Sequence, residues 1–371
     1  MKIAIVAPEN DNHTAPVKWA LERAGYEVLC WAGLGWSPEC QASISLLEEL
    51  TLRLGSADLQ AGDVVWIRRP QPPSPNPNVA EADRKFAQGE YRWFSDSLLY
   101  LLELLPVRCI NKYSASRMIR NKSVQLALAR SCGMRVPATL MSNIPRAVRD
   151  YLRQQPGPAI CKPFFPHVWR GNGDRCLAVT ETFQLTEDML PADEVLTYAP
   201  AIYQQRIAKQ FDVRMVLLGS AVYSFALCNP KGSIDWRQDV GQGIVRVESI
   251  ATPDEIRQQV LAFARESGIV SGSFDFAVDG DGHWWFLEVN EQGQFLWLDE
   301  FNPGLRVQEK FLAFLTSPEG APPEAIEARE ALFPSWNEYL DSPAANQQIP
   351  EQVPEQAPAQ PHAMPEFMSL E

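Results

Sequence analysis

The stretch SFDFAVDGDGHWWFLEVN, residues 273–290, decides how this chain is read. Two apolar runs of strand character flank a D-G-D-G turn signal, and three oxygen-bearing side chains, Asp275, Glu288 and Asn290, interrupt them. Alternation along the second strand places Trp285, Leu287 and Val289 on one face and Phe286, Glu288 and Asn290 on the other. A turn centred on Gly280 and Asp281 sets Ser273 opposite Glu288 and Asp275 opposite Phe286, so that Asp275 lies diagonal to Glu288 on a shared face. A turn of another length breaks this arrangement unless a bulge restores it. Two carboxylates and an amide oxygen, with no thiolate or imidazole in the set, match a hard cation such as Mg²⁺. The plain alternative is an edge hairpin with one wet face.

Outward from the hairpin, the segment PDEIRQQVLAFARESG reads as a helix capped by Thr252 and stopped by Gly268, and LRVQEKFLAFL reads as the helix that follows. Upstream, YAPAIYQQRIAKQFDVRMVLLGSAVYSFALC alternates as strands with a turn at Gly219 and Ser220, while PAICKPF is a short strand carrying Lys162. At the start of the chain KIAIVA, TAPVKWALERAG and YEVLCW give strand, helix and strand, with Gly25 as the stop. DVVWIRRP is a further strand, and a long amphipathic helix ends at Pro106, so a first α/β domain closes near residues 110–112.

The 371 residues are 46% hydrophobic and 21% charged, enough for two or three domains with substantial cores. A net charge of -13 argues against nucleic acid or an anionic membrane surface as partner. No run approaches the roughly 20 apolar residues of a membrane span, and MKIAIVAPEN reads as a first core strand rather than a targeting segment. Seven scattered cysteines suit a reducing cytoplasm, and four histidines without zinc spacing give no structural zinc site. After about Ser317 the composition turns to Pro and Gln. PPEAIEARE has helical character, but residues 319–371 as a whole read as a largely disordered tail.

Several cations accompany the hairpin. Lys162 on its strand either snorkels to solvent or holds a phosphate, Lys122 taken alone is an ordinary surface lysine, and Asp212 with Arg214 is an Asp-x-Arg pair on one strand face. Arg237 is a second arginine among aromatic residues. There is neither a P-loop lysine motif nor a G-x-G-x-x-G after the first strand.

Taken in order, NK at Lys122, CKP at Lys162, YQQRI with FDVRMVLLG, DWR at Arg237, FDF at Asp275 and FLEVN at Glu288 and Asn290 resemble the ATP-grasp ligases over about residues 111–318. WIRRP at residues 66–70, INKYSASRMIRNKSVQLALARSCGMRVPATL and EVNEQGQFLWL make the chain most similar to the peptide maturases that macrocyclise microviridin and other graspetide precursors. The resemblance implies an α/β (α+β) ATP-grasp fold. Residues 1–112 would form a Rossmann-like domain. Residues 113–203 would form a central subdomain, and 204–318 the subdomain with the metal site. It further implies that Lys122 and Lys162 contact ATP phosphates, that the backbone of Gln204, Gln205, Arg206 and Ile207 faces adenine, and that Asp212 holds ribose. Mg²⁺ would sit on Asp275, Glu288 and Asn290; Arg237 would lie near the γ-phosphate, and Arg214 near the reacting carboxylate. Gln205 departs from the glutamate common in the family, which bears on nucleotide preference. The loop RGNGDRC is a candidate lid, a precursor peptide is the implied partner, and a homodimer is an assembly the resemblance allows.

That chemistry is physically coherent. A carboxylate is a poor acyl donor until ATP converts it to an acyl phosphate, after which a Lys amine or a Ser or Thr hydroxyl attacks and releases phosphate. Two other readings use the same residues: coupling of a small acid to an amine, and a nucleotide-binding regulator without catalysis.

Overall fold

The computed structural model describes residues 1–165, 182–231 and 244–345, together with the backbone of the strands Val168–Arg170 and Cys176–Val179. The chain divides into two compact units, one formed by Met1–Pro137 with Ile207–Gln348 and the other built on Ala138–Arg206.

The first unit begins with β1 (Lys2–Val6), the helix Thr14–Arg23 and β2 (Glu27–Cys30). Val17, Ala20 and Leu21 bury the helix on its apolar stripe, and Gly25, at φ 83, ends it in the left-handed conformation. β3 (Ala42–Leu46), β4 (Leu50–Leu54) and β5 (Ala57–Asp58) make a small antiparallel sheet that the sequence reading did not anticipate. β6 (Val64–Ile67) and β7 (Arg108–Ile110) complete a parallel sheet of order β2-β1-β6-β7.

In the second unit β8 (Thr139–Ser142), β9 (Ala159–Lys162), β12 (Phe183–Leu185) and β13 (Ala201–Gln205) form an antiparallel sheet of order β12-β9-β13-β8. Val148 and Leu152 of the helix Pro145–Gln154 pack on it with Ala159, Cys161, Leu185 and Tyr203. Among the described residues this unit also holds β10 (Val168–Arg170) and β11 (Cys176–Val179), which pair antiparallel with each other.

The first unit resumes with β14 (Lys209–Leu218), β15 (Ala221–Cys228), β16 (Arg246–Ile250), β17 (Ser271–Asp279) and β18 (Trp284–Asn290). They form one antiparallel sheet of order β16-β15-β14-β17-β18, its first hairpin closed by Gly219 at φ 64 and Ser220. Val213, Met215, Phe274, Phe276, Phe286 and Val289 point to one face and pack against the helices Tyr113–Ile119, Lys122–Ser131 and Asp254–Ser267. On the other face Val216, Leu218, Phe225 and Leu227 join Ile3, Ile5, Val64 and Trp66 of the parallel sheet and Phe311 of the helix Val307–Thr316. The N-terminal sheet therefore shares its core with the C-terminal one, and the compact units break at residues 137 and 206.

Three local expectations are corrected. The D-G-D-G turn is longer than two residues: Val278 pairs with Trp284, the Asp279 N–H donates to His283 O, and the Gly282 N–H donates to Asp279 O. A bulge between Asp275 and Phe276 then offsets the register, so that Asp275 stands directly opposite Glu288, and Ser273 opposite Asn290. In consequence Phe286 faces the core with Val289, while Glu288 and Asn290 face away from it. Thr252 does not cap its helix; Pro253 holds that position, and Thr252 Oγ1 bonds Ser224 Oγ at 2.7 Å. Finally, residues 319–345 are folded. Ile326, Phe333, Trp336 and Tyr339 are buried in the shared core, and Ser335 with Glu338 forms a capping box on the helix Trp336–Leu340. Four large apolar side chains in that segment supply the burial that its Pro-rich composition concealed. The rest of the expected tail, residues 346–371, lies outside the described residues.

Candidate active site

The sheet face opposite the three helices is apolar at one end and polar at the other. The polar end carries Asp212 and Arg214 from β14, Ser273 and Asp275 from β17, and Glu288 and Asn290 from β18. Arg214, Asp275 and Glu288 form one row across three strands, since Arg214 pairs with Asp275 and Asp275 with Glu288. Direct cross-strand partners have Cβ atoms about 4.5–5.5 Å apart, so the two carboxylates can reach one ligand. The phenylalanines on the reverse face, each contributing roughly 1.5–3 kcal/mol of burial, hold the strands in place against the cost of seating these charges.

Every charge in the row is answered. Arg214 Nε lies 2.9 Å from Asp275 Oδ1 with both side chains largely buried. The Arg214 guanidinium also sits 5.5 Å from the Trp297 ring, and its Nη1 donates to Gln294 O at 3.4 Å. Lys122, the first residue of its helix, places Nζ 3.5 Å from Glu288 Oε2. Lys209 Nζ donates to Asp212 Oδ2 at 2.7 Å. Asn290 Oδ1 accepts from the Gln292 N–H at 3.1 Å, which engages one of its two lone pairs and leaves the other. Two carboxylates and an amide oxygen, already balanced by lysine and arginine, are a donor set that Mg²⁺ fits, since that ion prefers oxygen ligands and keeps positions for water or phosphate.

The structure thus gathers Lys122, Asp212, Arg214, Asp275, Glu288 and Asn290 in the first unit, where β14 begins just after Ile207. Lys162, Gln204, Gln205 and Arg206 belong to the second. There Lys162 ends β9 opposite Ile202, Gln204 is buried and donates from Nε2 to Thr139 Oγ1 at 2.9 Å, and Arg206 Nη1 donates to Gln184 Oε1 at 3.5 Å. The Gln205 N–H donates to Ala138 O at 2.8 Å, and its side-chain oxygen accepts from the Ala138 N–H at 3.3 Å. Arg237 and the core of the RGNGDRC loop lie outside the described residues.

Three supporting residues escaped the sequence reading. Gln125 clamps the edge strand β18, donating to Val289 O and accepting from its N–H, both at 2.9 Å. Asn111 donates to Ser271 O at 2.7 Å and Glu291 O at 2.8 Å, and accepts from the N–H groups of Val270 and Ser271, which ties the start of β17 to the end of β18. Arg120 Nε holds the buried Glu291 carboxylate at 2.8 Å. Amide side chains of this kind are silent in a sequence because their partners are main-chain groups brought close only by folding.

A scan against protein-family models returns no match, and neither does a search of curated proteins. Solved structures do match, and they show the fold: it is that of the ATP-grasp ligases. An ATP-grasp ligase of Chryseobacterium gregarium associated with a ribosomally made peptide product, solved with ADP and a leader and core peptide, superposes with a TM-score of 0.73 at 23% identity. The match covers 87% of this chain and 99% of that one. The macrocyclase MdnC of Microcystis aeruginosa, solved with the precursor peptide MdnA, gives 0.68 at 20% identity over 85% and 99% of the two chains. The ATP-grasp ligase PsnB, solved with a minimal precursor, Mg and ADP, gives 0.61 at 22% identity over 89% and 98%.

Proposed function

We propose that this protein is an ATP- and Mg²⁺-dependent ligase that activates an Asp or Glu side chain of a precursor peptide and joins it to a Lys amine or a Ser or Thr hydroxyl, closing a lactam or lactone. The observation that carries the reading is the row Arg214, Asp275 and Glu288, with Asn290 beside it and Lys122 at 3.5 Å. The likeness in fold to ligases solved with peptides and ADP supports it.

In this reading Asp275, Glu288 and Asn290 hold Mg²⁺, which when bound neutralises phosphate charge during transfer. Lys122 leaves Glu288 to contact the phosphates, and Lys162 and Arg237 add positive charge to them. The main chain of Gln204, Gln205, Arg206 and Ile207 faces adenine, and Asp212 holds ribose. The Arg214 guanidinium faces the carboxylate under activation, whose oxygen attacks the terminal phosphate in line. ADP is the leaving group of that transfer; the acceptor amine or hydroxyl then attacks the acyl carbon and gives up a proton to the departing phosphate or solvent, and the C–O bond to phosphate breaks, so that inorganic phosphate carries away the former carboxylate oxygen.

The test is co-expression with the acidic peptide encoded nearest the gene, followed by mass spectrometry. Successive losses of water in the peptide are expected, with ADP released only when peptide is present. ATP turnover on small acids alone, with the peptide unchanged, would move the substrate class to free carboxylates. A cytoplasmic setting is part of the proposal, supported by six free cysteines among the described residues; no helix described is long and apolar enough to cross a membrane. So is a homodimer. The helix Arg84–Leu101 exposes Phe86, Trp93 and Tyr100 at sevenfold spacing, a stripe symmetric about Trp93 that an antiparallel copy of itself would cover. Light scattering of Trp93→Glu against the parent chain checks it: a halved mass is expected.

A further inference from the structure

His13 lies in the loop between β1 and the helix Thr14–Arg23 and is buried. Its Nε2 accepts from the N–H of Phe295 at 3.0 Å and of Leu296 at 3.2 Å, and its ring meets Phe295 edge-on at 5.6 Å. A nitrogen that accepts two hydrogen bonds carries no proton, so the ring is neutral; burial, and after it the charge of Arg68, lowers its pKa to about 3 and keeps it so. The neighbouring Asp11 Oδ1 accepts from the His13 N–H at 3.0 Å and lies 3.4 Å from Arg68 Nε, while Arg68 Nη1 donates to Gln292 O at 3.3 Å. The loop at residues 292–297 is therefore gripped at both ends by the N-terminal segment.

What that loop presents is functional. Gln294 O accepts from Trp297 Nε1 at 2.9 Å and from Arg214 Nη1 at 3.4 Å, and the Trp297 ring covers the guanidinium. We propose that His13 is a positioning residue of this site: by fixing the main chain of Phe295 and Leu296 it sets Gln294 and Trp297, and through them the guanidinium of Arg214 opposite Asp275.

The geometry separates this role from plain core filling. An apolar side chain of equal volume at position 13 would fill the space and leave two buried N–H groups without an acceptor. A glutamine, whose amide oxygen reaches the place of Nε2, would restore it.

The experiment has two arms on the full-length protein. Amide hydrogen exchange across residues 293–297 needs no substrate: His13→Leu is expected to speed it about 10-fold or more, and His13→Gln to leave it within about threefold of the parent. ADP release from Mg·ATP with a glutamate-rich peptide is the second arm, and it rests on the proposed carboxylate activation. Here His13→Leu should lower kcat about 30-fold with KM for ATP within about threefold, and the loss should largely vanish in an Arg214→Lys background. If His13→Leu does not fold, His13→Asn, whose oxygen stops at the Nδ1 position, takes its place. Unchanged exchange in that variant, or a kcat loss that multiplies fully with Arg214→Lys, overturns the proposal. A parent protein that releases no ADP removes the carboxylate-activation reading instead, and the exchange arm still decides whether His13 holds the loop.

Discussion

At the scale of single residues, Asp275 and Glu288 matter because they stand opposite each other with Arg214 and Lys122 as counter-charges. On the proposed reading Glu288→Ala takes away one of the oxygens that would hold Mg²⁺, so product formation should fall below detection while the fold persists; circular dichroism and the mass assay together check this. For Lys162→Ala the expected change is in nucleotide affinity, a roughly 10-fold weaker Kd for ATP by calorimetry, the size of one lost charge-assisted contact. Gly293 is constrained for another reason. It holds φ 60, and a Cβ there would come 2.5 Å from the Phe295 ring, so the turn after Asn290 has room for hydrogen alone.

At the scale of elements, the bulge in the β17–β18 hairpin is the feature on which the site depends. Without it the observed turn would set Asp275 opposite Leu287 and rotate Glu288 toward the phenylalanine core. β18 is also an edge strand, and its free side is held by Gln125 and by the Arg135 carbonyl, which accepts from the Phe286 N–H at 2.8 Å. Gln125→Leu leaves the N–H and carbonyl of Val289 buried without partners. A loss of about 2–4 kcal/mol in urea unfolding is expected, with faster amide exchange concentrated in β18.

At the scale of the whole molecule, two buried titratable groups act against each other. Asp299 accepts from the N–H groups of Val307 and Gln308 at 2.9 and 2.8 Å, yet burial pushes its pKa up to about 7. The folded state therefore keeps a proton that the unfolded chain releases near pH 4, and this contribution to stability is lost as pH rises through 7. His13 works in the other sense. Its pKa of about 3 when folded means that acid favours the unfolded chain, which takes up a proton below about pH 6.5. The parent should thus show a flat profile between about pH 4 and 6.5 from this pair. In Asp299→Asn the opposing slope is gone, so its stability relative to the parent should climb by up to about 4 kcal/mol from pH 4 to 7.5, read by urea denaturation. The C-terminal segment belongs to the same whole: Trp336 lies in the core shared by both sheets, and Trp336→Ala should cost about 3–5 kcal/mol.

Much of this was readable from local chemistry. The hairpin, the turn at Gly219, the helix stop at Gly268 and the identity of Asp275, Glu288 and Asn290 as a grouped oxygen set follow from periodicity and residue type, which act over a few neighbours. What folding alone decided is the bulge that brings the two carboxylates face to face, the docking of residues 319–345 into the core, and the amide and histidine bonds of Gln125, Asn111 and His13. Each of these joins groups far apart in the chain, His13 and Phe295 by 282 positions, and a hydrogen bond between such groups has no signature until the backbone has brought donor and acceptor within about 3 Å.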